Sequence, residues 1–145
     1  MPPSVILLVE DNPDDEALTC RSLLKEPLPL EIVVVRDGQQ VLDWLFGAGE
    51  FRGRDVSELP ALVLLDLKLP RVDGFEALER IRADPRTARV PVVVFTSSAE
   101  VRDIVRSYEL GANSYVCKPV GFPEFSDTVR TLGRYWLLVN TPEPG

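Results

Sequence analysis

Four short stretches carry residues able to do chemistry: Glu10-Asp11, Asp66, Thr96 and Lys118. Each closes an apolar run. The plainest is Val63-Leu64-Leu65-Asp66, a buried strand cut off by one carboxylate. Burying an unpaired carboxylate is prohibitively expensive, so Asp66 belongs at the exposed carboxyl end of that strand. In an open parallel sheet, that rim is where ligands bind. Taken singly, each residue also has a plain structural use. Asp66 could start a turn toward Pro70 and Asp73-Gly74, Glu10-Asp11 could open an acidic helix, Thr96 could cap, and Lys118 could be a solvated strand end before Pro119. Together they supply three acids, a hydroxyl and an amine, the set needed to seat a phosphoryl group on an acid.

Two carboxylates ~4 Å apart repel by about 4 kcal/mol at an effective dielectric near 20. Three at one rim call for a divalent cation. Oxygen donors suit Mg²⁺, which takes one or two carboxylates and keeps several waters. Asp11 and Asp66 fit as direct ligands, Glu10 as a ligand through water, and the Lys68 backbone carbonyl as a further one. With its charge offset by the ion, Asp66 can act as a nucleophile toward a phosphoryl group. Lys118 offers a positive charge to Asp66 or the phosphate, and Thr96 a hydroxyl to a phosphate oxygen. The protein's share of such a transfer is positioning and charge stabilisation.

Composition narrows the chemistry further. The chain has 145 residues, 45% hydrophobic, enough for one domain with one core. It contains no histidine, which removes Ser-His-Asp and Cys-His nucleophiles and every histidine-bearing metal site. A net charge of -7 opposes binding to nucleic acid or to an anionic membrane surface. No apolar run is long enough to span a bilayer, and Met1-Pro2-Pro3-Ser4 lacks the basic start of a signal peptide. A cytoplasmic location is expected. Cys20 and Cys117 do not make a disulfide framework and read as small buried apolar groups.

The elements that must position these residues alternate in type. Strands are predicted at 4–9, 30–35, 61–65, 90–95 and 113–117. After the first, Asn12 is a good N-cap, Pro13 fits the first helical position, and Asp14, Asp15 and Glu16 suit the dipole of the first turn. Leu18, Leu23 and Leu24 give that helix its apolar positions. Val41, Leu42, Leu45 and Phe46 mark a second helix, and Phe75, Leu78 and Ile81 a third. Ser97 and Glu100 have capping-box spacing before a fourth helix, whose face is Val101, Ile104, Val105 and Tyr108. Phe122, Phe125, Val129, Leu132, Trp136 and Val139 form one stripe on a fifth. The stretch from Gly47 to Pro60 is a long loop, either functional or locally ordered. Five βα repeats imply an α/β fold, a parallel sheet with helices on both faces.

These residues resemble the receiver domain of two-component response regulators. The resemblance rests on Val9-Glu10-Asp11-Asn12, on Asp66 within LLDLKLPRVDG, on Thr96-Ser97-Ser98 and on Lys118-Pro119, and runs from about Ser4 to Leu132. It implies a flavodoxin-like (βα)5 three-layer sandwich with strand order 2-1-3-4-5. It also implies that a partner sensor histidine kinase phosphorylates Asp66 in the presence of Mg²⁺, with Thr96 and Tyr115 reporting the phosphate to the face made by the fourth helix, fifth strand and fifth helix. One departure is Lys68, where the family often has a smaller polar residue; its long side chain bears on how long a phosphoryl group survives. VEDNPDDE, the 47–60 loop, YELGANSYVCKPV and RYWLLVN look more narrowly like the stand-alone regulators that partner bacterial phytochromes.

Residues 1–140 are expected to form a single receiver domain, with 141–145 a mobile tail and no output domain. The helix end Tyr135-Trp136-Leu137-Leu138-Val139 is apolar all round. Trp136 and Val139 continue the core stripe, while Tyr135, Leu137 and Leu138 point elsewhere. That suggests a homodimer on the same face of fourth helix, fifth strand and fifth helix, with Tyr135, Trp136, Leu137 and Leu138 at its interface. Two other functions compete, the second of them on the same fold. A small-molecule phosphohydrolase with an Asp nucleophile usually has a second Asp two residues on, where this chain has Lys68. A phosphorylation-independent adaptor usually lacks an acid or the lysine, and here both are present. A flavin site is weaker still, because the first turn lacks a Ser/Thr/Gly-rich phosphate loop.

Overall fold

Three apolar segments buried on both faces, β1 (Ser4–Val9), β3 (Leu62–Leu65) and β4 (Val92–Thr96), make the centre of the sheet. Their side chains alternate between two cores. Leu7, Val9, Val63, Leu65, Val92 and Val94 face one, while Ile6, Leu8, Leu62, Leu64, Val93 and Phe95 face the other. This double burial is why the runs read as continuously apolar rather than alternating. The computed structural model describes residues 3–144; Met1 and Pro2 of the expected domain and Gly145 of the expected tail lie outside the described residues.

β2 (Leu30–Val35) and β5 (Ser114–Cys117) complete a parallel sheet of order β2-β1-β3-β4-β5. α1 (Pro13–Leu24) and α5 (Phe122–Arg134) cover one face. α2 (Gly38–Phe46), α3 (Gly74–Ala83) and α4 (Val101–Glu109) lie on the other. The flavodoxin-like fold and its strand order are therefore as expected.

The 47–60 loop is locally ordered, and Arg54 orders it. Its guanidinium stacks 3.7 Å over the Trp44 ring. It donates to the carbonyls of Trp44, Leu45, Asp55 and Glu58, pinning the loop to the end of α2. A short 3-10 turn, Gly49–Phe51, lies in the same loop.

Several local expectations are corrected. Thr19, Ser22 and Leu23 form the buried face of α1, and Leu24 is exposed. Ser97 and Glu100 make no capping box. Instead the Ser98 hydroxyl donates to Asp103 and accepts from the Glu100 N–H. The apolar face of α4 turns outward: Val101, Val105 and Tyr108 are exposed, and Ser107 is its buried residue. Cys117 is exposed rather than buried. After Arg134 the helix widens into one π turn, Tyr135–Val139, closed by the Asn140 N–H on the Tyr135 carbonyl. That winding turns each residue through a smaller angle, so Trp136 and Leu137 both pack on the core while Val139 is 66% exposed. Beyond it Arg89 pairs with Glu143, and 140–144 line a cleft of about 500 Å³ with Leu59, Pro91 and Trp136.

The loop after β3 is fixed by close backbone approach. A Cβ on Gly38 would overlap the Val72 carbonyl oxygen, and one on Gly74 would overlap that of Asp66. Arg71 sits in the left-handed region (φ 64°) and makes a two-pronged ion pair with Asp37, the N-cap of α2. Gly38→Ala should therefore lower stability by about 1–3 kcal/mol, read as a lower urea midpoint at unchanged slope.

Candidate functional site

Parallel pairing brings the strand ends together at one rim. Val9 lies opposite Leu65, so the residues that follow, Glu10 and Asp66, emerge side by side. β4 delivers Thr96 as its last residue, buried at 1% exposure. β5 lies two strands from β3, about 10 Å at the usual spacing. Only a long side chain bridges that gap, and Lys118 does so.

The Lys118 ammonium is the hub. Nζ donates to Glu10 Oε1 at 2.6 Å, to Asp15 Oδ2 at 2.9 Å and to Asp66 Oδ2 at 2.9 Å. Its side chain is 5% exposed. The other Asp66 oxygen, Oδ1, accepts from the Leu67 N–H at 2.7 Å and, more loosely, from the Lys68 N–H at 3.4 Å. Glu10 Oε2 accepts from the Asn12 N–H, and Asn12 caps α1 through the N–H groups of Asp14 and Asp15, as expected.

Glu10, Asp11 and Asp66 each offer an oxygen within 4.8 Å of the other two. Such a set of hard donors fits a divalent cation. Asp11 is exposed, open to an ion's remaining waters. Lys68 is exposed in the loop directly after Asp66.

Asp15 belongs to this constellation and the sequence reading missed it. Asp14, Asp15 and Glu16 all suit a helix N-terminus equally well, and only the arrival of Lys118 from β5 singles out one of them. Thr96 lies at the rim, whereas Tyr115 pairs with Val94 two residues short of it, and its hydroxyl donates to the Ser98 carbonyl at 2.8 Å, in the loop just past Thr96. Its N–H donates to the Tyr108 hydroxyl. At the chain end Tyr135 and Leu138 are exposed, whereas Trp136 and Leu137 are partly buried against the chain's own core.

The fold and this rim define a receiver domain, and the chain belongs to the response regulator receiver domain family, whose model matches residues 6–130. It is a receiver-domain response regulator of two-component signalling, related to the phytochrome response regulators. Response regulator Rcp1 of Synechocystis sp. is 38% identical over 136 residues, covering 94% of this chain and 90% of that protein. The Mn²⁺-bound form of response regulator Rcp1 superposes with a TM-score of 0.90 at 36% identity, over 98% of this chain and 100% of that one. The phosphorylated cyanobacterial phytochrome response regulator RcpA superposes at 0.91 with 37% identity, over 98% and 99%. The bacteriophytochrome response regulator RtBRR is 48% identical, with a TM-score of 0.77 over 99% and 86%. Among the described residues no helix is long and apolar enough to cross a membrane.

Glu10 is the most buried acid of the group, 1% exposed. Burial raises its pKa from 4.5 to about 7; the Lys118 hydrogen bond opposes the rise and the Asp66 charge adds to it. Burial by itself would lower the Lys118 pKa, but hydrogen bonds to Asp15 and Glu10 and the Asp66 charge outweigh it and hold the pKa above the ordinary value. Without a divalent ion, the folded chain keeps a proton on Glu10 that the unfolded chain releases near pH 4.5. Stability should therefore fall as pH rises from 4.5 to about 7 and level off above. The fall should be on the order of 1–3 kcal/mol. Urea midpoints across this range, in buffer free of divalent ions, measure it, and Glu10→Gln should flatten the slope.

Proposed function

We propose that this chain is a phospho-acceptor of a phosphorelay, taking a phosphoryl group onto Asp66 from a sensor histidine kinase, a bacteriophytochrome, with Mg²⁺ in the rim. The observation that carries the reading is the Asp66 carboxylate at the end of β3, hydrogen-bonded to Lys118 within the three-acid cluster. The phytochrome partner is supported by the likeness to RcpA and RtBRR. A metal in this rim is supported by the Mn²⁺-bound relative and by the oxygen donors present here.

In the proposed transfer an Asp66 oxygen attacks the phosphorus of a phosphohistidine. The P–N bond breaks, an O–P bond forms, and the imidazole leaves with the electron pair. Glu10, Asp11, Asp66 and the Lys68 carbonyl would hold Mg²⁺, which supplies charge neutralisation for the transferring group. Asp66 is pre-aimed by the N–H groups of Leu67 and Lys68. Lys118 balances charge as it builds on the phosphoryl oxygens, and the Thr96 hydroxyl hydrogen-bonds one of them. Tyr115 conveys the change to the α4-β5-α5 face. Water later cleaves the O–P bond, restoring the carboxylate and releasing inorganic phosphate. Lys68, two residues past Asp66, stands where a phosphohydrolase would hold its second acid.

The outward apolar residues of α4, with Tyr135 and Leu138, support a homodimer on the α4-β5-α5 face. Acetyl phosphate with Mg²⁺ should add a hydroxylamine-labile phosphoryl mass to the chain and none to Asp66→Asn. A label kept by that variant would move the acceptor elsewhere, no label at all would favour the adaptor, and repeated turnover of a small phosphoester would favour the hydrolase. Replacing the exposed pair, Tyr135→Lys with Leu138→Glu, spares the core residues Trp136 and Leu137 and should shift sedimentation to monomer. A variant sedimenting like the parent chain would remove this helix end from the interface.

A further inference from the structure

An ammonium has three hydrogens, and Lys118 has committed all three. Two of its partners have roles in the reading above: Asp66 as acceptor and Glu10 as part of the cation cluster. Asp15 has neither, for it lies outside the three acids whose oxygens gather within 4.8 Å. It is also the most open of the three, with its side chain 28% exposed against 2% for Glu10 and 10% for Asp66.

A phosphoryl group on Asp66 brings new anionic oxygens to the rim. One of them can take over the hydrogen that Asp66 itself accepts from Lys118, and a second gains one only if another carboxylate gives it up. Releasing Glu10 would strand a fully buried charge, the costliest choice. Releasing Asp15 returns a part-exposed carboxylate to water, which costs little. We propose that Asp15 is a positioning residue for phosphoryl transfer: it holds the Lys118 ammonium between transfers and is the partner let go when Asp66 is phosphorylated. This rests on Asp66 being the acceptor. Asp15 then restrains capture of a phosphoryl group in two ways. It occupies a hydrogen of Lys118, and it adds a negative charge beside an incoming anion.

The test is labelling of the whole chain by limiting acetyl phosphate with Mg²⁺, alongside Mg²⁺ titration. Asp15→Asn keeps the side-chain length and drops the charge. It should label Asp66 several-fold faster while binding Mg²⁺ no more tightly, since a nearby negative charge is gone. A purely structural lesion at the start of α1 would slow labelling and weaken Mg²⁺ binding together. Asp14→Asn makes the same charge change one residue earlier, at a side chain with no ion pair among the described residues, and should label at the parent rate. Asp15→Glu, which keeps a carboxylate, should stay near the parent. Labelling of Asp15→Asn no faster than Asp14→Asn would overturn the role of Asp15. Absence of a hydroxylamine-labile label in the parent chain would instead overturn Asp66 as the acceptor.

Discussion

One ammonium shared among acids from three separate elements is the constraint on which the rim depends. Lys118 follows β5, Glu10 and Asp66 follow β1 and β3, and Asp15 lies on the first turn of α1. Taking these charges out of water costs several kcal/mol per ion, and removing one partner leaves another uncompensated. Such a cluster does not hold a fold together. The apolar strands beneath hold the carboxylates close, and Lys118 makes that closeness tolerable. It offsets only part of the negative charge, so the rim remains suited to a cation.

Asp66 is held unequally on its two sides. Toward α2 and α3 the loop after Asp66 is locked by packing: Gly38 and Gly74 leave no room for a side chain, and the Arg71–Asp37 pair offsets the strain of a left-handed residue. Toward α4 the contacts of the loop after Thr96 are single hydrogen bonds, Tyr115 to Ser98 and Ser98 to Asp103. Close-packed backbone yields only by distortion, whereas single polar contacts exchange at small cost. The side toward α4 is therefore the easier of the two to rearrange. The same side of the molecule carries the outward apolar residues of α4.

The order of elements, the residue type at each strand end and the N-cap of α1 were legible in the amino-acid sequence. Each depends on near neighbours: an apolar run stopped by a charge, or Asn12 before Pro13. Local pattern also carried the oxygen-donor character of the rim, because the absence of histidine leaves little else. Other features were decided by the tertiary structure alone. Asp15 is chosen over Asp14 and Glu16 by a lysine 103 residues away. Leu137 replaces Val139 on the core because one wide turn shifts the helical phase. Cys117 and the apolar side of α4 face outward at the β5 edge, where the sheet of the described residues ends. Sequence pattern reports what a residue is next to along the chain; which charges meet, and which faces go uncovered, follows from distances that exist only once the sheet has closed.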